Sequence, residues 1–262
     1  MPEGRSDRIA HPWAVGPAGV TADTAFNAVS IGSTTDTTFT DIGLTPGSIH
    51  TYTVDAVDAA TNVSLMSPAS AQITVSAGVP PIFSDDFTSG DFSSWTLNTR
   101  LTIDAAIGSP AAPSARAQVT AQSAFAYKDL ASPVSQFCMS TNVNLAASGG
   151  TAIDIMRLRT AANGAIVKVL VAANGILQIR SDVAATVRNS AVALGSGWHS
   201  VELCGTVGSA TTWDLYRDGV LIVNDWLADT GTTPVGRIQI GDAAVKTFTA
   251  NFDHVILDQA AG

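Results

Sequence analysis

A chain of 262 residues, 46% apolar and only 13% charged, has room for one large domain or two modest ones, each with a real core. Its 22 acidic against 13 basic residues, a net charge of −9, argue against nucleic acid as a partner, because phosphate binding needs clustered Lys and Arg. An acidic surface suits divalent cations, neutral glycans or basic proteins instead. Thr, Ser, Ala and Gly fill the gap left by charge, a mixture that favours strands and polar turns over helices.

In chain order, residues 1–19 open with MPEGRSDRIAHPW, which lacks the apolar core of a secretory signal, and form an atypical N-terminal segment. No stretch is long and apolar enough to span a membrane, since GAIVKVLVAANGIL is broken by Lys168 and an Asn-Gly pair. Residues 20–78 hold no Lys or Arg. Within them, Phe39, Thr40 and Asp41 precede GLTPG, followed by Tyr52, Val54, Ala56, Asp58, Asn62 and Ser67-Pro68. This pattern resembles the second half of a bacterial fibronectin type III domain, so a truncated sandwich is expected over 20–78. His50 stands where that family usually has tyrosine, and Thr61 where it usually has glycine. The resemblance implies an extracellular protein, and the missing early strands imply a piece of a longer one with a catalytic or adhesive domain upstream. Residues 79–82, with Pro80-Pro81, form a stiff linker.

From Phe83 onward, period-two alternation recurs with turn signals roughly every ten residues, the pattern of a β-sandwich. FSDDFTSGDFSSW (83–95) sets Asp85, Asp86 and Asp91 among Phe83, Phe87, Phe92 and Trp95. In SQFCMSTNVNL and WHSVELCG, Cys138 and Cys204 fall on the polar faces of their strands. A cross-strand disulfide requires that placement if the strands are neighbours, and two free thiols are the other reading. Asn174-Gly175 and Asp218-Gly219 mark two hairpins, and both pairs suit the positive φ values of a type I′ turn.

The series DDF, DFSSW, GWHSVEL (197–203), LYRDG (215–219) and NFDHVILD (251–258) resembles the concanavalin A-like, laminin-G-like jelly roll over 83–262. The whole chain is therefore expected to be all-β: a partial fibronectin-like sandwich followed by an antiparallel jelly roll. The resemblance implies a concave sheet that binds carbohydrate and a structural calcium. First and last strands lie side by side in such a fold, which would bring one or both of Asp85 and Asp86 to Asp253 as calcium ligands, with backbone carbonyls completing the set. The other reading is solvated aspartates at a strand entrance, above an aromatic core.

The hydrolase strand Glu-x-Asp-x-Glu is excluded, because Glu202 is the one glutamate after residue 83. Glycan binding needs aromatic faces and planar polar side chains. Trp226, in VNDWLADTG, is the expected exposed aromatic, and Tyr216 shares the polar face of its strand with Asp214. Arg157 and Arg159 share one strand face in IDIMRLRT, and Gln178 and Arg180 share another in LQIRSD. The expected function is an extracellular carbohydrate-binding accessory module with polysaccharide or glycan as partner. A hydrolase using an Asp/His site, and a structural spacer or adhesion domain, are the two alternatives.

Overall fold

The computed structural model describes residues 19–24, 29–34, 44, 47–75 and 80–259. The atypical segment up to Ala18, the Phe39-Thr40-Asp41 motif and Val79 of the linker lie outside the described residues. The chain divides into two compact units, Met1–Val79 and Pro80–Gly262. No helix among the described residues is long and apolar enough to cross a membrane.

In the first unit β1 (Gly19–Thr24) pairs antiparallel with β2 (Val29–Thr34), while β3 (Ile49–His50) follows it in the chain. The other neighbour of β1 is β4 (Tyr52–Val57), and β5 (Ile73–Thr74) pairs with β3. The free edge of β4 is covered by a non-strand segment in which serine recurs every third residue. Ser64, Ser67 and Ser70 each take the backbone N–H of Ala56, Val54 and Tyr52 on Oγ, and each donates its own N–H to the same residue's carbonyl. This satisfies an edge that would otherwise stay open to pairing. Thr61 adopts φ 68°, the conformation glycine would supply, while Asp58 Oδ1 accepts the N–H groups of Ala60 and Asn62. His50 bonds the Ser48 hydroxyl through Nε2 at 2.6 Å.

The second unit is built from antiparallel strands around one apolar core. It begins with β6 (Phe83–Asp85), β7 (Leu97–Thr99), β8 (Leu101–Asp104), the 21-residue β9 (Ser114–Val134) and β10 (Gln136–Ala147). It continues with β11 (Ile153–Arg159), β12 (Ala165–Val171), β13 (Ile176–Ser181) and β14 (Val187–Ala193). The last four are β15 (His199–Thr206), β16 (Thr211–Arg217), β17 (Val220–Ala228) and the 24-residue β18 (Val235–Asp258).

Two long strands make the sandwich. β9 and β18 pair along their length, but the ladder breaks between Asp242 and Phe248, so each strand serves two layers. The first half of β18 joins a front layer ordered β14-β13-β12-β11-β18-β9-β7. Its second half joins a back layer running β17-β16-β15-β10-β18 and on to β9 and β8, with β6 beside the end of β18. At the break Gly241 has φ 77°, and a Cβ there would overlap the Ala124 carbonyl, so no other residue fits. Phe137, Met139, Trp213, Leu158, Ile179 and Phe252 project between the layers and are fully buried.

The two marked hairpins differ. Asp218 and Gly219 both have positive φ, and Arg217 pairs directly with Val220, as a two-residue type I′ turn requires. At Asn174-Gly175 the loop is one residue longer. Ala172 bonds Ile176 around Ala173, Asn174 and Gly175, and of the pair only Gly175 (φ 84°) is left-handed. That is a three-residue hairpin with its glycine in the bulge position, a correction to the type I′ expectation.

Cys138 and Cys204 are directly paired positions of β10 and β15, and their sulfurs are bonded. They stand on the outer face of the back layer, between the inward Phe137 and Met139 of β10 and beside the inward Leu203 of β15.

Candidate functional site

The outer face of the front layer is polar, and its rows can be read from the strand register. Tyr127 on β9 faces Gln239 on β18, which faces Arg157 on β11. Arg157 faces Lys168 on β12, and Lys168 faces Arg180 on β13. The next row runs Asp129, Arg237, Arg159. On the other side Asp154 faces Leu170, which faces Gln178. Arg157, Lys168, Gln178 and Arg180, with Asp154 and Lys246, line a groove of about 360 Å³.

Charges in the groove hold one another in place. Asp154 accepts from Lys168 Nζ at 2.8 and 2.9 Å and lies 3.7 Å from Arg157. Burial raises the Asp154 pKa above the ordinary carboxylate value, and the Lys168 charge opposes that shift. Asp182 sits between two guanidinium groups, with Arg157 at 2.7 Å and Arg180 at 3.2 Å, one on each oxygen. Asp242 is taken by the backbone N–H groups of Asp154 and Ala244. Arg237 binds Asp129 at 2.6 Å and lies over the Tyr127 ring, 3.8 Å from its centroid. Arg159 donates to the Asn163 carbonyl, and burial, then the charge of Arg157, lowers its pKa.

Arg157, Arg159, Gln178 and Arg180 thus come together on one face. The two aromatic candidates do not join them. Tyr216 lies opposite Glu202 in the back layer, on the outer side with Asp214 and the disulfide. Trp226 is not in an exposed loop: it belongs to β17, pairs with the buried Trp213 and packs against the core. The cause is a bulge at Asp225 (φ 48°), which turns Trp226 inward and leaves Leu227 65% exposed.

The first and last strands do pair, with Asp85 opposite Val255. Even so, among the described residues Asp85, Asp86 and Asp253 do not form a group whose ligand oxygens lie within 4.8 Å of one another. Each is occupied locally. Asp85 accepts the Phe87 N–H and the Trp95 indole N–H, at 2.9 and 2.7 Å, which fixes Phe87 at φ 57° between Phe92 and Trp95. Asp86 and Asp91 close turns onto Thr88 and Ser93. Asp253 accepts from Ser109 and His254 backbone N–H groups, both at 2.7 Å, and Asn142 Nδ2 donates to the Ser109 carbonyl. These residues therefore do not fit a calcium cage, whose cation needs six to eight oxygens turned inward on one point.

Among the described residues, His199 pairs with an aspartate but with no hydroxyl. His199 binds Asp218 at 2.8 Å through Nδ1, but Nε2 meets the Ser196 carbonyl, not a hydroxyl. Asp218 also accepts the Ser200 N–H, so the pair secures the Asp218-Gly219 turn.

Lys168, Tyr127, Gln239 and Lys246 were not singled out from the sequence. Lys168 alone had a local signal, as the one cation in the otherwise apolar AIVKVLV. Tyr127 and Gln239 reach the site by pairings between β9, β18 and β11, which are far apart in the chain.

No family model and no curated protein sequence matches this chain. Solved structures do match in fold. The protein called cellulose induced protein Cip1 is similar over 68% of this chain and 97% of its own, with 14% identity and a TM-score of 0.55. An endo-β-1,4-glucuronan lyase from the fungus Trichoderma reesei covers 69% and 96%, at 11% identity and TM-score 0.53. A conserved carbohydrate esterase from a Shiga toxin-encoding bacteriophage covers 70% and 100%, at 12% and 0.52. At such identities the likeness is one of fold. Together with the strand order it defines an all-β protein whose larger unit is a jelly-roll β-sandwich.

Proposed function

We propose that the second unit recognises polysaccharide, holding a glycan chain along the outer face of its front layer. The groove over Arg157, Lys168, Gln178 and Arg180 carries this reading. Its volume falls within the range of ligand sites, about 300–1,000 Å³, and polar side chains converge on it from three strands. The names of the fold neighbours, two of which act on carbohydrate, support it as well. Binding is favoured over hydrolysis because Asp154 and Asp242 are both engaged, by Lys168 and by backbone N–H groups. An extracellular location and an accessory role beside a catalytic or adhesive domain belong to the same reading. The Cys138–Cys204 disulfide supports the location.

The test is electrophoresis of the full chain through native gels cast with neutral and acidic polysaccharides. At least one polymer is expected to retard it. Gln178→Ala with Arg180→Ala should weaken that affinity about tenfold, the effect of losing hydrogen bonds from charged and amide groups, with the fold retained by circular dichroism. No retardation by any polymer, or retardation indifferent to both changes, overturns the proposal.

A further inference from the structure

The groove breaks a rule of sheet design. Like charges directly opposite on neighbouring strands repel and destabilise a sheet. Here Arg157, Lys168 and Arg180 occupy three consecutive strands in a single row. Arg159 and Arg237 oppose each other in the next. With Lys246 at the rim, six of the chain's 13 basic residues gather on one face of a protein whose net charge is −9. Four carboxylates accompany them: Asp129, Asp154, Asp182 and Asp242. Arg159 and Lys246 have no carboxylate partner among the described residues. Solubility does not explain a cation-rich face on an acidic chain.

We infer that the groove selects carboxylate-bearing polysaccharide, a polyuronate, over neutral polymers. This rests on the polysaccharide reading above and narrows it. The protein's own Asp182 shows the fit, since a planar carboxylate lies between the Arg157 and Arg180 guanidinium groups with one oxygen to each. The Arg180 side chain is 40% exposed, so part of its donor fork faces solvent. A chain of sugars with a carboxylate on every ring would meet that fork and Lys246 in the groove and Arg159 in the neighbouring row, offsetting the repulsion built into the sheet.

The experiment is calorimetric titration of the full chain with polygalacturonate, its methyl ester, dextran and dextran sulfate. Polygalacturonate should bind about tenfold tighter than the ester and weaken as salt rises from about 50 to about 300 mM. Lys246→Ala and Arg159→Gln should each cost about three- to tenfold for polygalacturonate, while Arg100→Ala, which does not line the groove and bonds Ser123, should not. Equal affinity for acid and ester, or a preference for dextran or dextran sulfate, overturns this inference and leaves polysaccharide recognition standing. Binding to none of the four, together with no retardation in the gels, removes both.

Discussion

Asp253 is 1% exposed and accepts two backbone N–H groups, yet burial outweighs those bonds and raises its pKa from 3.8 to about 6. The folded chain therefore holds a proton there that the unfolded chain releases between those values. The resulting stabilisation is complete below pH 3.8 and is lost as pH rises through about 6. Asp85 and Asp154 are shifted the same way by burial. Asp58, Asp86, Asp91 and Asp218, held by turn donors or by His199, are lowered, so the stability they add is present above pH 3.8 and is lost as pH falls below it. On moving from pH 7 to pH 5, wild type should gain melting temperature relative to Asp253→Asn, and parallel profiles would contradict this. Trp226 gives a second test at this scale. Because its ring packs inward, Trp226→Ala should lower stability by about 3 kcal/mol in urea denaturation. Its affinity for polysaccharide should stay that of the wild type.

Among the elements, turns were the most legible feature because their chemistry is local. Asp218-Gly219 supplies two left-handed residues in succession, and the chain reverses there. Asn174-Gly175 was located correctly, but the extra residue Ala173 was not visible, since neighbouring-strand register decides loop length. Alternation likewise placed Cys138 and Cys204 on outer strand faces, and the pairing of β10 with β15 brings them together. That bond closes a separation of 66 residues. Cys138→Ser with Cys204→Ser should therefore cost about 3–4 kcal/mol in denaturant unfolding, an effect that reductant reproduces in wild type and not in the variant. Bulges were the least legible. The one at Asp225 reverses the faces of β17, and the one at His254 (φ 47°) lets both Phe252 and Val255 reach the core.

At the scale of the molecule, the average charge concealed its distribution. An excess of acid over base says nothing of a face where cations are concentrated. A ligand held in that groove binds the folded state alone, so its effect reaches the whole second unit. A polysaccharide present at about 100 times its dissociation constant should add about 2.7 kcal/mol to stability, read as a rise in melting temperature. The rise should fall to about 1.4 kcal/mol in the Gln178→Ala, Arg180→Ala chain, whose affinity is about tenfold weaker.

By itself the sequence determined an all-β protein, its turns, and which residues of a strand share a face. These depend on a period of two and on backbone preferences that act within a few residues. Tertiary structure alone decided which faces adjoin. It split the proposed ligand residues between a front groove and a back layer, turned Trp226 inward, and gave Asp85, Asp86 and Asp253 to nearby N–H donors instead of to one another. It also aligned Arg157 with Lys168 and Arg180, because strand register is set by the packing of whole layers, and no local pattern encodes it.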